Sequence, residues 1–192
     1  MIRTRMLAIG VFLIFAVTGC SQKSEPDYKA TSTIREVMAS MIVPSSDFLF
    51  NAVSSSVTPK GVEDKSPKTD EEWANVRRNA IRLIEATNLL IMEGRHVAKP
   101  GEKSENPGIE LEPEQMEKLI NDDRATFIKF AQGLHDAAMP ALKSIDDRNA
   151  DGLLDAGELI DNACENCHLK YWYPNQNAAE AAKQSGAANP KK

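Results

Sequence analysis

Cys164 and Cys167, two thiols three residues apart followed at once by the imidazole of His168, are the residues of this 192-residue chain whose spacing dictates a chemistry. On a helix, positions i, i+3 and i+4 share one face and can reach a single flat ligand. Two such cysteines can add across the two vinyl groups of a haem, and the adjacent imidazole can bind the iron. Cys-x-x-Cys-His is the attachment pattern of a c-type haem. Its rivals fit less well. A structural zinc site needs four ligands, and the chain offers beyond these only Cys20, His96 and His135. A thioredoxin-like pair belongs beside a strand–helix–strand unit, and no such alternation is present. The expected cofactor is one covalent haem c on Cys164 and Cys167, with His168 as an axial ligand.

A second spacing also matches a known chemistry. Asp147, Asn149, Asp151, Asp155 and Glu158 place oxygen donors at positions 1, 3, 5, 9 and 12 of an EF-hand calcium loop, with Gly152 at 6 and Leu154 at 8. The competing reading is a helix-to-helix turn, with Asp151 as N-cap and Leu153 and Leu154 already in the core. A calcium loop would delay the last helix to about residue 155 and shorten what can cover a haem. It would also stand unpaired, whereas EF-hands usually occur in pairs.

The other end of the chain bears on compartment. Residues 1–19 read as a signal, with Arg3 and Arg5 as its basic start and residues 6–17 as its apolar core. That core falls short of the roughly 20 apolar residues a spanning helix requires. Val17-Thr18-Gly19-Cys20 resembles a bacterial lipobox, in which cleavage leaves Cys20 lipidated; the alternative is an ordinary cleavable signal and a free thiol. Ser21 next to that cysteine resembles an outer-membrane sorting signal. The expectation is a periplasmic protein with a stable multi-acyl lipid anchor, the outer membrane favoured. Bacterial c-type haem is attached outside the cytoplasm, so both ends agree. No intrachain disulfide then remains.

Without the signal the chain carries 21 basic against 28 acidic residues, a net charge of about −7. That excludes an electrostatic footprint for nucleic acid and suits a partner with a basic patch. Residues 20–30 read as a flexible tether, 31–174 as one domain, and 175–192 as a disordered tail.

Four amphipathic helices are expected to position the motif. The first spans about residues 31–57, with an apolar stripe of Ile34, Val37, Met38, Met41, Ile42, Phe48, Leu49 and Ala52, and a kink or break at Pro44. After a loop, a second runs from Thr69 or Asp70 to about His96. A third opens at Glu112-Pro113-Glu114 and runs to Ile145, bent at Pro140. The last covers about residues 151–171. No period-two alternation predicts a sheet. The expected fold is all-α, an antiparallel four-helix bundle enclosing the haem.

Cys-x-x-Cys-His on the closing helix of an all-helical domain resembles the cytochrome c′ family, whose plan covers most of residues 31–174. Its specific part is Cys164 to His168 with the residues that follow, together with the Met38…Pro44 region. The resemblance implies a periplasmic haem protein working in electron transfer or, in some members, binding small gases. Low-spin members take a methionine from the first helix as sixth ligand, and Met38, six residues before Pro44, occupies that place; Met41 is the alternative. Both could equally be core packing. His96 and His135 are the remaining imidazoles, the first explicable at a helix C-terminus, the second on a polar face. Tyr171, Trp172 and Tyr173 are expected to close the pocket, polar atoms toward water. In the family dimers form through the first helices, which Pro44 leaves open here.

No nucleophile or acid–base pair stands out, so a catalyst is not expected. The expected function is a monohaem electron carrier between periplasmic or membrane redox proteins. The alternative is a five-coordinate haem protein binding NO or CO.

Overall fold

The structure, a computed structural model, describes residues 28–176. Cys20 and the signal lie outside the described residues, as do nearly all of the tether and tail. The described part is mostly helical: α1 (Ile34–Val37), a π-helical turn (Met38–Ile42), α2 (Val43–Ala52), α3 (Asp70–Leu90), α4 (Pro113–Asp122), α5 (Arg124–Asp146) and α6 (Ala150–Tyr171). A small antiparallel hairpin, β1 (Ser54–Thr58) and β2 (Gly61–Lys65), sits between α2 and α3.

The helix starts follow from local chemistry. Thr33 and Glu36 form a capping box on α1, and Thr69 and Glu72 another on α3, each satisfying donors that the helix itself leaves unpaired. Pro113 stands in the first turn of α4, where its missing donor costs nothing. Asn149, not Asp151, caps α6, accepting from the Gly152 amide at 3.0 Å. Pro140 lies inside α5.

Three expectations are corrected. The first helical run divides into α1 and α2 through a π turn just before Pro44, and ends at Ala52 rather than near residue 57, with Val53 already extended (φ −132°, ψ 146°). The expected third helix divides at Asp123 (φ −141°, ψ 63°), whose side chain caps α5 by accepting from the Thr126 amide. The loop after the first helix contains a hairpin. Its residues are almost all exposed, with Val57 opposite Val62, so no buried face imposes the alternation by which a strand is read. Gly61, at φ 120°, closes the turn.

Helix α3 lies at the centre: Ala80, Leu83 and Ala86 are fully buried. It packs on α2, α5 and the π turn; α5 packs on α6, and α2 also meets α6, so the long elements ring one apolar core. Residues 91–112, between α3 and α4, are strapped to this frame. Ile34 and Arg35 donate their amides to the His96 and Val97 carbonyls at 2.9 and 3.0 Å, using two of α1's unpaired donors. Arg124 binds the Ile91 carbonyl at 2.7 Å, and the Leu111 amide donates to the Trp172 carbonyl at 2.8 Å. This strap closes one side of the cavity described next.

Candidate functional site

The last turns of α6 carry Cys164, Cys167 and His168 onto the wall of one cavity between α1, α4, α5, α6 and the strap. Its remaining wall is apolar, with Leu90, Val97, Ile120, Phe127 and Leu134 among the contributors, apart from a connected polar cluster. In that cluster Arg35 pairs with Glu105 and donates to the Lys103 carbonyl at 3.0 Å, and Ser104 donates to Glu110 at 3.0 Å. Such a lining, apolar with a few convergent polar groups, suits a small-molecule or cofactor site.

His168 is the sharpest feature of this wall. Its Nε2 is buried with no hydrogen-bond partner, a state that costs free energy unless something else fills it. Burial holds the ring below its ordinary pKa, against the opposing pull of Glu165, so the neutral imidazole, a metal donor, is favoured. Trp172 meets it edge-on with centroids 5.4 Å apart, and Tyr173 lies at 5.9 Å. The Tyr173 hydroxyl donates to Glu165 at 2.7 Å, returning the end of α6 onto itself. Tyr171 wedges edge-on against Phe127 and Phe130.

Both thiols are free, with no disulfide. Burial, then the carboxylates of Asp161 and Glu165, pushes Cys164 up to about 11. Burial, then Cys164, pushes Cys167 up to about 12. Both therefore stay protonated at neutral pH.

Of the methionines, Met38 lines the cavity and Met41 does not. Met116, from α4, also lines it. Its apolar spacing hid it, because a thioether ligand and a packing methionine have the same pattern. Arg35, one turn before Met38, lines the cavity too, and nothing in its own sequence context marks it as a site residue.

The other imidazoles do not meet the site. His96 lies in the strap, beyond the end of α3, with its Nδ1 2.7 Å from Glu117, so the helix-terminus explanation gives way to a carboxylate. His135 faces Asp136 on α5 beside a separate cleft. The expected outward turn of the aromatic polar atoms is overturned for two of the three rings: Tyr171 Oη is buried without a partner, with Tyr171 only 5 % exposed, and Trp172 Nε1 is buried toward the Glu110 carboxylate. The helix end is held by ring packing instead.

The residues matching a calcium loop are wound otherwise. Asp147 pairs with Lys143 and Asn149 caps α6, while Asp151, Asp155 and Glu158 lie exposed along the helix. Among the described residues no group of three or more His, Cys, Asp or Glu side chains is placed to hold a metal ion. Leu153 is buried as expected, but Leu154 is exposed.

The residues at the cavity fit a covalently attached haem on three counts: paired thiols on one helix face, a buried imidazole nitrogen without a partner, and an apolar pocket with one cation, Arg35, among its lining. Among the described residues no helix is long and apolar enough to cross a membrane. Compared with models of protein families, with curated proteins and with solved structures, the chain finds no match in any of the three.

Proposed function

We propose that this chain is a monohaem c-type cytochrome, a four-helix bundle of the cytochrome c′ type that carries single electrons between periplasmic redox partners while tethered to the membrane through lipid on Cys20. One observation carries the reading: His168 Nε2 is buried without a partner on the wall of the cavity that Cys164, Cys167 and Met38 also line. Cys164 and Cys167 hold the porphyrin, His168 binds its iron, and the Met38 thioether is the sixth ligand. A haem so held supplies one-electron chemistry, at a potential raised by thioether ligation.

The chain's own contribution is positioning and dielectric. Trp172 and Tyr173 restrict the His168 ring, and Tyr171 anchors the helix end between Phe127 and Phe130. The apolar wall excludes water, so little solvent has to reorganise when charge changes. Arg35 offers a cation to the porphyrin's acidic side chains, exchanging Glu105 for them. The acidic surface favours partners with basic docking faces.

The test is direct. Full-length protein produced in a host that attaches c-type haem should gain the mass of one porphyrin and show a two-thioether haemochrome spectrum. Its ferric form should be low-spin with a far-red sulfur–iron band. A coloured but high-spin protein that binds NO or CO at once would favour the gas-binding alternative. Colourless protein of polypeptide mass would end the haem reading.

A further inference from the structure

The π turn at the cavity rim solves a problem of phase. Val37 and Ile42, five residues apart, are each 1 % exposed, yet in an α-helix they would stand about 140° apart around the axis. A regular helix continued from Val37 would instead turn Met41 and Phe48 inward, each within about 40° of it. The structure instead buries Ile42 and Leu49 and leaves Phe48 39 % exposed, while Met41 is half-buried against the core but off the cavity wall that Met38 lines. The helical run thus holds one extra residue between two segments that are each pinned. The start is bound to the strap through the Ile34 and Arg35 amides, and the continuation is fixed by burial of Ile42, Ser45 and Leu49.

Pro44 supplies the cause. In an α-helix its nitrogen would face the Ser40 carbonyl, to which it has no proton to donate and against which its ring would clash. In the π turn the Val43 amide reaches back to the Met38 carbonyl instead of the Ala39 carbonyl. That shift releases the Ala39 carbonyl, and Pro44 has no proton for the Ser40 carbonyl; both residues are exposed, so water can take these acceptors.

We propose that Pro44 is the positioning residue for Met38. By forcing one extra residue into the turn it re-phases the helix so that Met38 lines the cavity and Met41 is turned away from it. The inference rests on the haem reading only in taking the Met38 thioether as an axial ligand.

Pro44→Ala lets the i to i+4 ladder close, which must shift one segment by one position. Either Met38 leaves the cavity wall for the place of Val37, or Met41 displaces Ile42 in the core. Both change the relative exposure of the two thioethers. Peptide-resolved oxidation of the full-length protein by hydrogen peroxide should therefore show the Met41-to-Met38 ratio altered by at least about fivefold. Deleting the exposed Ala39 in the Pro44→Ala background removes the extra residue, and should return the wild-type ratio. In haem-loaded protein the far-red band should weaken in Pro44→Ala and recover with the deletion.

A wild-type ratio in Pro44→Ala, or a deletion that worsens the shift, overturns the proposal. Should Pro44→Ala fail to fold, a deletion variant that melts cooperatively with the wild-type ratio supports it, and one that stays unfolded overturns it. Colourless protein would remove the haem reading alone; the oxidation ratio still decides the role of Pro44.

Discussion

His168 and Trp172 stand one turn apart at the end of α6 with their rings edge to face, centroids 5.4 Å apart at 66°, and His168 Nε2 is buried without a hydrogen-bond partner. The ring is therefore held by packing, leaving the nitrogen for a ligand. His168→Ala should keep the porphyrin on Cys164 and Cys167, losing the low-spin ferric spectrum, and millimolar imidazole should restore it by entering the vacated space. A His168→Ala protein spectrally identical to wild type would show that this imidazole does not bind iron.

Three thioethers lie in or near the cavity, and leucine separates their roles. Methionine-to-leucine swaps conserve volume and cost less than about 1.5 kcal/mol, so each variant should fold. Met38→Leu should abolish the far-red band, while Met41→Leu and Met116→Leu retain it. Loss of the band in Met116→Leu instead would move the sixth ligand to α4.

Gly152 invites the usual stabilising glycine-to-alanine change within a helix, but the expected sign is reversed here. A Cβ at this position would lie 2.7 Å from both Asn149 Nδ2 and Ser144 Oγ, and the Asn149 side chain is the cap of α6. Gly152→Ala should destabilise by about 1 kcal/mol, the usual value of an N-cap, lowering the melting temperature by roughly 2–4 °C. A rise in melting temperature would show that the cap can move aside.

Glu36 ties the start of α1 to the strap. The Lys99 ammonium, then the Thr33 amide, hold its carboxyl below the ordinary value of 4.5. A carboxylate so lowered contributes stability above its ordinary pKa, and that contribution disappears as pH falls through the lowered value. The Val37 amide, which donates to Thr33 at 3.0 Å, should exchange faster than other helical amides as acid is added below about pH 4.5. Glu36→Gln should remove that extra pH dependence. The Glu36 side chain is 39 % exposed, so the effect is small and sensitive to salt.

Much of this molecule is written locally. The Cys164, Cys167 and His168 spacing becomes a single cavity wall because three residues of one helix need nothing but the helix to come together. The boxes at Thr33–Glu36 and Thr69–Glu72, and Pro113 in a first turn, fix helix starts through contacts three residues long. These could be read from the chain directly. Asp123 could not: a residue that ends one helix while capping the next resembles an interior position when apolar spacing alone is followed.

What tertiary structure decided is phase and partnership. The stripe of the first helical run contains Met38, Met41 and Ile42 with equal title to the inside, and only packing against α3 and the strap, with Pro44 between, selects Ile42 for the core and Met38 for the cavity. The cavity itself joins α1, α4, α5, α6 and residues 91–112, segments far apart in sequence whose apposition depends on summed burial rather than on any local spacing. For the same reason Asp147 to Glu158 could match a calcium loop residue by residue and still be wound into a cap and a helix: the buried contacts of Leu153, Ala156 and Ile160 outweigh what short-range spacing suggests.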